Sequence, residues 1–216
     1  MKRVAIVVLL TGCAPAPAPA PPSPPAGFEK EFAAAVETVR SSAAYSVWYE
    51  IHDGVHTVKG RTQRFRGDVL KILREVKGAS SRHLEVGDRH WWIPDGGSAW
   101  GTAPSSLRGT LEDPESVLKP LGAAVPRWVR QETIGEYDCR VVELDVELPS
   151  NRKSVARAWY HREGLEKIEI EAPRLRMTMQ IGGVRSSLRL MAEDEPAPWS
   201  DDMKAAASKA VEEKKR

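Results

Sequence analysis

Ala44-Tyr45-Ser46-Val47-Trp48-Tyr49-Glu50-Ile51-His52-Asp53-Gly54-Val55-His56 is the stretch whose reading decides the fold. Tyr45, Val47, Tyr49 and Ile51 fall on every second position, which in an extended chain puts all four on one face. Asp53-Gly54 accepts the positive φ angles of a tight hairpin turn. The segment therefore reads as the start of an antiparallel meander with one dry face. A two-residue turn sets His52 opposite Val55 and Ile51 opposite His56, and it turns Trp48 towards Lys59 and Arg61.

Upstream, the period changes. Phe28, Phe32, Val36, Val39 and Ala43 recur at helical spacing among Glu29, Lys30, Glu31, Glu37 and Arg40, which predicts one amphipathic helix. Downstream, Val55 to Arg66 returns, Gly67-Asp68 turns the chain into Val69 to Lys77, and two shorter strands follow, the second ending Trp91-Trp92-Ile93-Pro94. Asp113-Pro114-Glu115 opens a short helix that includes Val117 and Leu118, and Lys119-Pro120 is expected to bend or end it. Hairpins then resume: Trp128 to Ile134 with Tyr137 to Leu148, and Ser154 to Arg162 with Leu165 to Ala172, the latter aligning Trp159 with Ile168. The final hairpin is read with its turn at Gly182-Gly183, pairing Ile181 with Val184 and Met177 with Leu188. The fold class is α+β, mostly β: a curved antiparallel sheet of about eleven strands, forming an incomplete barrel, with an N-terminal helix and a mid-chain helical insertion on its concave face.

The chain opens Met1-Lys2-Arg3, then Val4 to Leu10, a basic start and an apolar block too short to span a bilayer, as in a secretory signal. Leu10-Thr11-Gly12-Cys13 follows at once and resembles the lipobox of bacterial lipoproteins. That resemblance implies removal of residues 1–12 as a signal peptide and acylation of Cys13, so that the bilayer is a partner through acyl chains worth about 0.8 kcal/mol per buried methylene. Ala14 stands where inner-membrane lipoproteins often carry Asp, so the expected location is the cell envelope, with the outer membrane facing the periplasm preferred over the inner membrane. Residues 13–26 then form a lipidated, Ala/Pro-rich linker of polyproline II character, reaching about 40 Å. Residues 27–196 form the domain, and residues 197–216 a polar, solvated helical tail.

The signal carries Lys2 and Arg3, leaving 30 of the 32 basic residues against 30 acidic ones. That balance gives no basic excess for a nucleic-acid partner. With Cys13 acylated, Cys139 is the only remaining thiol, so no internal disulfide is available and burial must stabilise the domain.

Three segments resemble the LolA/LolB superfamily and its LppX/LprG-type lipoprotein relatives. They are Asp88-Arg89-His90-Trp91-Trp92-Ile93-Pro94-Asp95, the run Glu132 to Leu144 with its turn glycine Gly135, and Ala158-Trp159-Tyr160-His161-Arg162-Glu163-Gly164-Leu165-Glu166-Lys167-Ile168. The resemblance covers about Phe28 to Ala192 and implies a half-barrel that holds a lipid or a lipoprotein acyl chain between sheet and helices. The residues expected to line it are Val47, Tyr49, Trp91, Trp92, Trp159, Ile168, Met177, Met179 and Leu188. The alternative is a structural or sensory envelope lipoprotein that binds a protein partner, its hollow filled by its own side chains.

The residues offer little catalytic chemistry. No G-x-S-x-G elbow or triad order surrounds a serine, and no glycine loop is placed to cradle a phosphate. His52 and His56 point to opposite faces of their hairpin, which argues against a shared metal. His83 and His90 flank a turn and are expected at the surface, His161 faces Glu166 across its hairpin, and Cys139 suits a packed strand position. The reading is of no enzyme, no metal and no cofactor. Seven tryptophans are the more suggestive feature, because apolar pockets are lined by such side chains.

Overall fold

The computed structural model describes residues 23–65, 69–107, 113–148, 152–185 and 199–213. Cys13, the segment before it, most of the Ala/Pro stretch, the turn expected at Gly67-Asp68 and Leu188 lie outside the described residues.

Helix α1 (Phe28–Ser41) forms where the helical period required it and buries Phe32, Ala35, Val36 and Val39. It is followed by β1 (Ala44–His52), β2 (Thr57–Phe65), β3 (Val69–Val76), β4 (Ala79–Val86), β5 (Arg89–Ile93) and the two-residue β6 (Gly101–Thr102). After α2 (Glu115–Ala123) come β7 (Arg127–Ile134), β8 (Tyr137–Leu148), β9 (Arg152–His161), β10 (Gly164–Ala172), β11 (Leu175–Arg185) and α3 (Asp201–Glu213). The strands form one antiparallel sheet in the order β6-β5-β4-β3-β2-β1-β11-β10-β9-β8-β7. Every pair of neighbours in the sheet is consecutive in sequence except at the centre, where β1 meets β11. Among the described residues, strands β6 and β7 are the edges of the sheet, so the barrel stays half open, as expected.

Pairing register decides which face each side chain takes. We call the face under α1 and α2 the inner face. It carries Tyr45, Val47 and Tyr49 of β1, Val142, Leu144 and Val146 of β8, Ala156 and Ala158 of β9, Ile168 and Ile170 of β10, and Met179 and Ile181 of β11. Against these lie Phe32, Val36 and Val39 of α1 and Val117, Leu118 and Leu121 of α2. Tyr160 fastens α1 to the sheet, its ring 5.5 Å edge-on from Phe32 and its hydroxyl donating to the Phe28 carbonyl at 3.0 Å.

Several local expectations are corrected. The first hairpin closes with four loop residues: His52 pairs with Thr57, and the Asp53 carboxylate accepts from the Val55 and His56 N–H groups at 2.9 and 2.7 Å. The shift is even, so every side chain keeps its face, and Arg61 lies opposite Trp48. At β9–β10 the two-residue turn falls one residue earlier than expected, at Arg162-Glu163, and a bulge between Leu165 and Lys167 moves the register by one. That odd step sets Trp159 opposite Lys167, on the outer face, and leaves Ile168 inside opposite Ala158.

Gly182-Gly183 is not a turn. Strand β11 runs through it to Arg185 and stays paired with β1 across an irregularity between Ala44 and Ser46. Gly183 adopts φ 61°, and a Cβ on Gly182 would come to 2.8 Å from the Trp48 ring. The bulge and the overlying indole demand glycine there. Helix α2 continues through Pro120 to Ala123. The C-terminal segment is not a solvated tail either: Trp199, Met203 and Ala207, four residues apart, pack on Ala44, Phe65, Val69, Leu84 and Val86 of the outer face.

Candidate functional site

Helices α1 and α2 do not cover the whole inner face. Where α2 begins, an apolar slot of about 170 Å³ opens between its first turn and the centre of the sheet, lined by Tyr49, Ile51, Pro114, Val117, Met177 and Met179. Beyond it, Ile51, Val58, Leu175 and Met177 are only partly buried, so the dry surface continues outward from the slot. Gly60 widens the seat for Tyr49, since a Cβ there would stand 2.5 Å from the phenol oxygen and 2.2 Å from the Leu73 carbonyl. A cleft of about 480 Å³ between α1 and β7–β9 is larger, but Glu31, Asp138, Arg140 and Arg162 put charge along its lining beside Ala34, Ala35 and Tyr160.

Polar groups gather at the α2 end of the slot. Both Asp113 oxygens accept from Arg64 Nη1 at 2.9 Å, and Asp113 Oδ1 also accepts the Glu115 N–H at 3.0 Å. Glu115 accepts from Arg40 Nε at 3.2 Å and from the Tyr45 hydroxyl at 3.2 Å. Burial, then the neighbouring Glu115 charge, pushes the Tyr45 phenol far above its ordinary range. The first turn of α2 is thus tied to α1, β1 and β2 by its two carboxylates.

The nine residues expected to line a lipid site divide as follows. Val47, Tyr49, Ile168, Met177 and Met179 share the inner face, and Tyr49, Met177 and Met179 line the slot. Trp92 is also turned inward but sits on β5 beside His83, their rings 6.1 Å apart. Trp91 packs with the α3 cluster on the outer face. Trp159 lies in a second outer cluster with Cys139 and Val141, where its Nε1 donates to Glu132 at 3.2 Å and Lys167 Nζ sits 4.7 Å over its ring. Leu188 lies outside the described residues. Sequence reasoning missed Ile51, Pro114 and Val117 as slot residues, although the helix start at Asp113-Pro114 was legible.

The expectation of surface histidines at 83 and 90 is overturned. Both are buried, at 2% and 5% exposure, because the pairing of β4 with β5 brings them together on the inner face. Ser81 Oγ is 2.9 Å from His83 Nε2, His83 Nδ1 is 3.0 Å from His90 Nε2, and Glu85 Oε1 is 3.5 Å from His90 Nδ1. Two neutral rings satisfy the central contact, one donating and one accepting, whereas two imidazolium rings cannot. Burial, then His90 and Arg74, lowers the His83 pKa to about 4. Elsewhere, His161 Nε2 stands 3.8 Å from Glu166, and burial raises the Cys139 thiol above its ordinary value.

An open antiparallel half-barrel with two helices seated on its inner face is an LppX/LprF-like fold, and that is the fold this chain has. Among solved structures it is similar to LprF from Mycobacterium bovis, with a TM-score of 0.60 and 9% identity over 82% of this chain and 100% of that one. It is also similar to the lipoprotein LppX from Mycobacterium tuberculosis, with a TM-score of 0.52 and 10% identity over 76% of this chain and 98% of that one. Neither a protein-family model nor a curated protein sequence matches the chain.

Proposed function

We propose that this protein is an envelope lipoprotein, anchored through acylated Cys13, that shelters a lipid or lipoprotein acyl chain on the inner face of its half-barrel without catalysing a reaction on it. The anchor follows from the Leu10-Thr11-Gly12-Cys13 lipobox, and residues 14–26 serve as the stalk. The observation that carries the binding reading is the apolar slot at Tyr49, Met177 and Met179, continuous with partly uncovered Ile51, Val58 and Leu175. Its volume, about 170 Å³, is close to that of engineered apolar cavities of about 150 Å³ that stay dry and take up benzene. It accepts the end of a chain; a longer one requires α2 to move aside. Affinity would come from buried methylenes at about 0.8 kcal/mol each.

A second reading has its own support. Phe32, Val36, Leu118 and Leu121 fill most of the hollow at 1% exposure or less, as in a closed module that binds a protein partner instead of cargo. Native mass spectrometry of detergent-free protein beginning at residue 13, with Cys13→Ser, separates the two. Lipid adducts, with uptake of a fluorescent fatty acid abolished by Val117→Trp, support the carrier. A bare mass and no uptake support the closed module. For the anchor, Cys13→Ser is expected to move the exported protein out of the membrane fraction.

A further inference from the structure

The outer face of β2–β4 carries a feature that acyl-chain binding does not use. Arg61, Leu73 and Arg82 stand in one row across β2, β3 and β4, with Lys71 beside them opposite Gln63. Together with Trp100 these side chains line a shallow hollow of about 100 Å³, and no carboxylate lines it among the described residues. Arg61 and Arg82 bring like charge to one hollow, which an anion seated between them would offset.

Arg61 is held in place for such a role. Its guanidinium carbon lies 4.7 Å over the Trp48 ring, and that ring rests against Gly182, where a side chain would collide. Arg61 Nη2 and Gln63 Nε2 both donate to Ser46 Oγ, at 3.3 and 3.4 Å. Arg61 Nε is buried and has no acceptor among the described residues. A buried cationic donor without an acceptor is costly, and an incoming oxygen would relieve it. The rim is apolar and open: Trp48 is 43% and Leu73 42% exposed. Free phosphate would satisfy the cations but give the exposed indole no role. A bilayer surface satisfies both, because anionic headgroups attract Lys and Arg while tryptophan settles at the headgroup boundary.

We propose that the Arg61, Lys71 and Arg82 hollow with its Trp48 and Leu73 rim is a site for the phosphate of an anionic phospholipid headgroup, seating the outer face of the sheet on a membrane. The inference stands independently of acyl-chain binding on the opposite face.

The test uses the chain from residue 13 onward with Cys13→Ser, which keeps every described residue and carries no acyl group. It is sedimented with vesicles of phosphatidylcholine alone or of equimolar phosphatidylcholine and phosphatidylglycerol. The site predicts partition onto the anionic vesicles only, a blue-shifted tryptophan emission that Trp48→Phe reduces, and weakening by salt. The double variant Arg61→Gln/Arg82→Gln should partition about thirtyfold less, and Arg61→Lys with Arg82 intact should recover most of the binding. The double variant Lys153→Gln/Arg162→Gln, equal in charge change but remote, should partition like the parent. Circular dichroism confirms that each variant folds; if the double variant does not, Arg82→Gln alone, with an expected fivefold or so loss, carries the comparison. Equal partition onto both vesicle types, no effect of the hollow variants, or saturation by inorganic phosphate without vesicle binding would overturn the proposal.

Discussion

Acidification from pH 7 to pH 5 should destabilise this protein through His83. Its folded pKa, about 4, lies below the ordinary value of 6.5, so the unfolded chain takes up the proton first. The stability tied to the neutral ring is fully present above pH 6.5, declines as pH falls from 6.5 towards 4, and is gone below that. A depression of this size corresponds to about 3 kcal/mol over the whole window, of which about 2 kcal/mol is lost between pH 7 and pH 5. Burial is the main obstacle to protonation, and His90, 3.0 Å from Nδ1, and Arg74 add to it. Urea denaturation followed by tryptophan fluorescence at several pH values reads the effect. For an m-value of about 2–3 kcal/mol per M, the midpoint should fall by roughly 0.7–1 M. Carboxylates titrate in parent and variant alike, so the decisive quantity is the difference between the parent and His83→Gln, whose midpoint should fall correspondingly less over the same range. Parallel pH profiles for the two proteins would refute this reasoning.

Two further outcomes follow from the packing. Met203→Ala should destabilise the protein by about 2–4 kcal/mol, with loss of helicity concentrated in α3, because Met203 is 1% exposed beneath that helix; an unchanged thermal midpoint would show that α3 is not docked on the outer face. Asp113→Asn should weaken the two-oxygen contact with Arg64, costing about 1 kcal/mol, and should speed hydrogen exchange of the amides from Val117 to Leu121 about fivefold without a comparable change in α1.

Local periodicity made the elements legible. The spacing of Phe32, Val36 and Val39 placed α1, and the alternation from Tyr45 to Ile51 placed the central strand. Single-residue departures from period two were not legible. The bulge after Leu165 turns Trp159 outward, and neither its own sequence nor its partner's marks the extra residue. Gly182-Gly183 misled for a physical reason, since a tight turn and a bulge under an indole both require a missing Cβ and a positive φ. The burial of His83 and His90 depends on a cross-strand register that pairs His83 with Trp92 and Glu85 with His90, and only in that register do the rings satisfy each other. For α3, the spacing of Trp199, Met203 and Ala207 was visible. Its docking groove is made by Ala44, Phe65, Val69 and Leu84, more than a hundred residues earlier, and such long-range pairing leaves no local trace.

The energetics of the inner face link the filled core to the proposed cargo. Helix α2 is held there by Val117, Leu118 and Leu121, each almost fully buried, and together worth about 5–9 kcal/mol of apolar burial. Displacing the helix into water would forfeit that amount unless something apolar took its place. At about 0.8 kcal/mol per methylene, a hydrocarbon segment of roughly six to eleven methylenes offsets the loss. An acyl chain of ordinary lipid length therefore suffices to exchange with α2, whereas a shorter chain can only occupy the slot at Tyr49, Met177 and Met179. On the proposed carrier reading, the self-filled hollow and the lipid-loaded one are two states of one apolar surface, and the carboxylates of Asp113 and Glu115 would set how readily one gives way to the other.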